Sequence, residues 1–154
     1  MATDQLSAMR PNAWLLDFGQ NLRAAVGTRV LLQIIDNPQL HAVPCTPPYC
    51  HRVVSWQGRL LPVMDMAARL GAEPQAARLL AVAGFREQPD EPTRFAALLL
   101  SAAPVAIAVA DGQSCPLPEH PLGWSNFALS CFEHQESAVP ILHLGHIFSR
   151  PSAI

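Results

Sequence analysis

The stretch VVSWQGRLLPVMDMAARLG, residues 53–71, decides how this chain folds. Val53 and Val54 are β-branched strand formers, Gln57 and Gly58 supply a turn whose glycine accepts a positive φ, and residues 59–64 resume an extended apolar run. Asp65 then stands where a helix N-cap belongs. Met66, Ala67, Ala68, Arg69 and Leu70 are good helix formers, and Gly71 is placed as a C′ stop. The stretch therefore predicts strand, turn, strand and a short helix.

Part of this pattern recurs. Residues 62–70, PVMDMAARL, are echoed 78 residues later by PILHLGHIF at 140–148, and both copies follow a polar turn. Two similar small β-subdomains, each a short-stranded barrel closed by a helical turn, account for the echo most economically. The approximate division falls at residues 13–75 and 76–150 of one domain spanning 1–154, with residues 1–11 as a polar N-terminal arm. The remaining segments fit a β-rich body. Residues 14–18 read as a strand, residues 19–21 as a turn and residues 22–26 as the returning arm of a hairpin. A short turn from Thr28 runs into a strand ending at Asp36, and residues 41–44 make another short strand. Residues 46–49, TPPY, form a rigid non-helical corner. Residues 76–85 fit either helix or strand. The apolar runs 95–101 and 105–110, joined by Ala102, Ala103 and Pro104, suit strands buried on both faces. Residues 114–124 form a proline-rich crossover, followed by strands at 127–132 and 138–142.

Composition narrows the function classes. Half of the 154 residues are apolar and 14% are charged, which excludes a disordered chain and calls for an extensive core or a partner-covered surface. Fifteen prolines against eight glycines imply many short elements. The net charge is −2 and the basic residues, all arginine, are dispersed, so no concentrated face is available for nucleic acid. The N-terminus lacks a signal-peptide pattern, and the longest apolar run, 95–110, is shorter than a spanning helix and broken by Pro104. These features predict a cytoplasmic protein that does not insert into membranes, with Cys45, Cys50, Cys115 and Cys131 reduced.

No catalytic constellation emerges. Cys45, Cys50 and His51, and His143 with His146, bring ligand-type residues close in sequence, but neither spacing matches a C-x2-C pair or an H-E-x-x-H helix. His143 stands where the first copy has Asp65, which points to a helix-start role. No G-x-S-x-G elbow or glycine-rich phosphate loop is present. A metal- or thiol-dependent enzyme built on these cysteines and histidines is the disfavoured reading. The residues predict an interaction module with no cofactor, no metal and no catalytic residue.

The run VPCTPPY at 43–49, followed by VVSWQGRLLPVMDMAARLG, resembles the signature of the CheW-like domain family, a proline-bearing corner followed by G-V-x-N-x-R-G-x-x-x-P-V-x-D-L and a helix ending near L-G. The resemblance implies two intertwined five-stranded SH3-like β-barrels. It also implies a non-enzymatic adaptor that joins the cytoplasmic tips of chemoreceptors to a CheA-type histidine kinase, with a divergent member serving a type IV pilus or twitching-motility system as the alternative. The receptor and kinase interface implied by the family falls on Leu31, Gln33, Ile34, Arg52, Val53, Gln57 and Gly58, with Leu31, Ile34, Val53 and Gly58 around an apolar groove. Within the motif this sequence departs from the family: Arg52 replaces the opening glycine, Ser55 the asparagine and Gln57 the arginine. The glutamate that pairs with that arginine falls at Gln33. Two glutamines replace a family ion pair and retain the capacity to hydrogen-bond each other.

Overall fold

A computed structural model describes residues 10–121 and 123–149. Residues 1–9 of the expected arm lie outside the described residues. Among the described residues eleven strands form two curled antiparallel-dominated sheets. One sheet runs β10(Ala128–His134), β11(Ser137–Leu142), β2(Arg23–Gly27), β1(Ala13–Asp17), β9(Ala102–Ile107). The other runs β3(Leu31–Asp36), β7(Leu79–Phe85), β8(Arg94–Leu100), β6(Arg59–Met64), β5(Arg52–Trp56), β4(Leu40–Ala42). Short helices α1(Met66–Arg69), α2(Trp124–Phe127) and α3(Leu144–Ile147) complete the fold. The protein is mainly β, with two SH3-like barrels, of which the six-stranded one, called the first barrel below, is enlarged by the short edge strand β4.

The barrels do not follow the halves of the sequence. The six-stranded sheet is built from 31–100, whereas the five-stranded sheet joins the first hairpin to strands from the end of the chain, with β11 pairing β2 in parallel at Ile141 and Ala25. The position between residues 75 and 76 lies in the connector from α1 to β7, inside the span of the six-stranded sheet.

Two-residue alternation divides the core into three parts. Leu80, Val82, Ala97 and Leu99 face the interior of the six-stranded barrel. Leu15 and Ala25 face the interior of the five-stranded one, with Phe132 and Val139. The opposite faces of the same strands, bearing Leu16, Ala24, Ala81, Ala83, Leu98 and Leu100, meet between the barrels.

The echo seen in the sequence is structural. Gln57 and Gly58 have φ of 48° and 75°, and Gln135 and Glu136, 78 positions on, have 50° and 65°, so both hairpins turn through two residues of positive φ. Asp65 caps α1 by accepting from the Ala68 N–H at 3.1 Å, and His143 Nδ1 caps α3 by accepting from the His146 N–H at 3.1 Å. The Asp65 N–H donates to the Tyr49 carbonyl at 2.8 Å, and the His143 N–H donates to the Phe127 carbonyl at 2.7 Å. The copies differ in depth. Asp65 is buried and its carboxylate also accepts from the Gln75 N–H at 2.9 Å, tying α1 to the start of the next segment.

Three expectations are corrected. Pro104 lies within β9, not in a connector, and most of β9 is exposed, because β9 is an edge strand where a missing N–H is tolerated. Phe127 belongs to α2 rather than to a strand. The proline corner closes in a 3₁₀ turn at Pro48–Cys50, with proline occupying its first turn, where no N–H is needed. The ambiguous segment at 76–85 contains strand β7.

Asp65→Ala should lower stability by about 2–3 kcal/mol because it strips both a cap and a buried tie, whereas His143→Ala should cost about 1 kcal/mol. Urea unfolding of the two variants measures the difference. Glu136→Gly should raise stability by up to about 1 kcal/mol, since a non-glycine residue is held there in the left-handed region that the first copy assigns to Gly58; a shift in the same urea midpoint reads it.

Candidate functional site

The family-type residues sit on β3 and on the β5–β6 hairpin, the two places where the six-stranded sheet curls towards closure. Strand β3 carries a bulge: Leu31 pairs with Ala83 and Gln33 with Val82, leaving Leu32 as the extra residue. Leu32 is 46% exposed and its Cδ1 lies over Gly84, where a Cβ would come within 3.0 Å. Glycine at 84 thus makes room for the bulge. After it, Gln33 and Ile35 face the barrel interior side, paired with Val82 and Leu80, while Ile34 pairs with Ala81. Leu31 and Ile34 are half-buried and pack against the core between the barrels.

On the other flank, Val53 pairs with His41 and Pro62, and Arg52 with Ala42 and Val63. Gln57 and Gly58 are exposed in the turn, beside Leu60, which is 70% exposed. Strands β7, β8 and β6 separate these two flanks, and their outward residues Ala81, Leu98 and Met64 are covered by the other barrel. Leu31 and Ile34 therefore lie on one side of the inter-barrel contact and Val53 with Gly58 on the other.

Gln33 is the link between them. Its Oε1 accepts from Trp56 Nε1–H at 2.8 Å, so its recorded partner is the residue before Gln57. The reason is alternation: Trp56 is the last residue of β5 on the side of buried Val54, and its indole points towards β3, whereas Gln57 has already entered the turn. The Trp56 ring packs against Phe95 at 5.5 Å between centroids, and the Arg59 guanidinium covers Phe95 at 4.7 Å. Gln33, Trp56, Phe95 and Arg59 thus form a continuous stack at the mouth of the barrel.

A groove of about 420 Å³ between the barrels completes the region. Its walls include Tyr49, Pro62 and Met64 from the first barrel and Phe148 from the second. The Arg69 guanidinium sits 4.4 Å from the Tyr49 ring and 4.7 Å from that of Phe127, so a cation is held between two aromatics that are themselves 78 residues apart. Arg94 lies 5.2 Å over Phe85 and donates through Nη2 to the Phe148 carbonyl, fastening α3 to β8. Phe85 and Phe148 stack at 5.9 Å. Burial pushes the thiol of Cys50, in the same wall, above its ordinary value. The sequence expectations do not include this groove; the echo, extended back from Asp65 and His143 to Tyr49 and Phe127, marks the two aromatics that hold its Arg69.

The ligand-type residues are separated by these elements. His51 Nδ1 lies 2.7 Å from the Pro48 carbonyl, and His143 and His146 stack at 4.0 Å on α3. Among the described residues no group of three His, Cys, Asp or Glu side chains is placed to hold a metal ion.

Comparison with known proteins agrees with the geometry. No curated protein matches the sequence. The structure is similar to the crystal structure of the scaffolding protein TtCheW from Thermoanaerobacter tengcongensis, with a TM-score of 0.71 over 94% of this chain and 97% of that one. At 13% identity the likeness establishes the shared fold. The sequence model of the CheW-like domain matches residues 17–149, which takes in every strand after β1, the paired caps and the groove between the barrels. The chain belongs to the CheW-like domain family.

Proposed function

We propose that the protein is a non-enzymatic signalling adaptor of a chemotaxis-type system, coupling chemoreceptor tips to a CheA-type histidine kinase. The observation that carries this reading is the pair of surfaces flanking the inter-barrel contact. Each offers half-buried or exposed apolar side chains on a rigid sheet: Leu31 and Ile34 on one flank, Val53 and exposed Leu60 on the other. Family membership supports the adaptor role, and the TtCheW structure is that of a scaffolding protein.

In this mechanism the receptor's helical tip lies along β5–β6, against Arg52, Val53, Gln57 and Gly58, and continues into the groove beside Pro62. The kinase's own CheW-like domain binds the second barrel. Leu31, Gln33 and Ile34 on the β3 flank complete the first barrel's interface. Gln33 contributes as a holder of Trp56: by fixing the indole it sets the shape of the hairpin end next to Gln57. With glutamine at both 33 and 57, recognition on this side rests on shape and apolar area rather than on a charge. A contact of about 800 Å² per partner is the standard size for such an interface, and micromolar affinity corresponds to roughly −8 kcal/mol. Simultaneous binding of both partners lets a change at the receptor alter the kinase by linkage.

Leu60→Arg and Val53→Arg place a charge on the proposed receptor surface without entering the core. In capture experiments with a chemoreceptor cytoplasmic fragment and a CheA-type kinase, each should weaken receptor binding at least about tenfold, which is 1.4 kcal/mol, and leave kinase binding intact. Folded variants that capture the receptor as well as the unaltered chain would overturn the assignment of this surface.

A further inference from the structure

We infer that Cys115 and Cys131 are a redox-active pair that closes into a disulfide when the chain meets a low-molecular-weight disulfide. Their sulfurs are 3.4 Å apart, although the residues are 16 positions apart in sequence. The backbone holds them together independently of the side chains: the Cys115 N–H donates to the Cys131 carbonyl at 3.0 Å, and Ser114 forms an antiparallel bridge with Phe132. Residues facing each other across antiparallel backbone have Cβ atoms about 4.5–5.5 Å apart, close to the 3.5–4.5 Å a disulfide requires, so closure needs only a small approach.

The two thiols are unequal. Cys115 is partly exposed on the crossover, whereas Cys131 is buried in β10. Burial, with the Cys115 sulfur beside it, pushes the Cys131 thiol up to about 12. Cys115 is therefore the attacking sulfur. A small reagent reaches Cys115 from its partly exposed side, and a cavity of about 500 Å³, lined in part by Ser114, Ser130 and Cys131, lies next to the pair. In the first step the Cys115 thiolate attacks one sulfur of the small disulfide, forming a mixed disulfide and releasing one equivalent of small thiolate. Cys131, giving up its proton to solvent, then attacks the Cys115 sulfur and releases the second equivalent. Two protein thiols are oxidised, and one small disulfide is reduced to two thiols. The product staples the crossover to β10, the edge strand of the five-stranded sheet. This inference stands apart from the adaptor reading, which uses neither cysteine.

The test uses the full chain, reduced, freed of reductant and exposed while folded to oxidised glutathione. The expected result is an intact mass lower by two hydrogen atoms, a proteolytic fragment pair joined through Cys115 and Cys131, and reversal by dithiothreitol. The same joined pair should form in the Cys45→Ser, Cys50→Ser double variant, while Cys131→Ser should retain glutathione on Cys115. Thiols that all remain free, a stable glutathione adduct on Cys115 of the unaltered chain, or a link through Cys45 or Cys50 instead would overturn the inference.

Discussion

Alternation along β1, β2, β7 and β8 is the constraint on which the structure depends. Each of these strands buries both faces, one into its own barrel and one into the seam between barrels, so neither barrel has a closed surface of its own. Among the described residues, 19 buried side chains make up the seam, against 7 and 5 in the barrel interiors. Exposing one large side chain such as Phe18 or Leu98 costs about 1.5–3 kcal/mol, so separating the barrels would remove most of what holds the fold. The small residues Ala81, Ala83 and Ala96 let the central strands approach across the seam, while Met64, Met66 and Trp124 fill the space at its ends.

That seam explains the placement of the candidate surfaces. Because β7, β8 and the end of β6 are spent on it, the outward face of the first barrel is left to β3, β5, β4 and the start of β6, where Leu60 is exposed. The groove is where the seam opens, and its walls are stiffened by cation–ring contacts. Arg69 between Tyr49 and Phe127 joins the equivalent corners of the two copies, and Arg94 reaches from β8 to the end of α3. The duplicated hairpins thus supply both the architecture and the edges of this cleft.

The parts of this fold legible in the sequence were those governed by local chemistry. The Gln57–Gly58 turn, the Asp65 cap, the Gly71 stop and the His143 counterpart each follow from residues within a few positions, and the echo carried them to the second copy. What eluded the sequence depends on distant partners. The run 105–110 looks as buried as 95–101, yet β9 is an edge and β8 is central, and no local signal distinguishes them. Leu31 and Ile34, three positions apart, share a face through a bulge made possible by Gly84, fifty residues away from Ile34. That Gln33 accepts from Trp56, one position before Gln57, was not legible, because a strand's last residue and a turn's first residue point in different directions.

The pairing of β11 with β2 has a consequence for how the protein is made. On the ribosome the β1–β2 hairpin emerges long before its parallel neighbour β11, which it meets at Ala25 and Ile141. Strands 31–100 can assemble in between, while the early hairpin waits with one edge unpaired and its seam-facing leucines uncovered. Such a long-range closure makes contact order high and folding slow. The interval between synthesis of the first strand and the eleventh is then the period in which a nascent chain is most exposed to wrong partners, including the same hairpin of another copy.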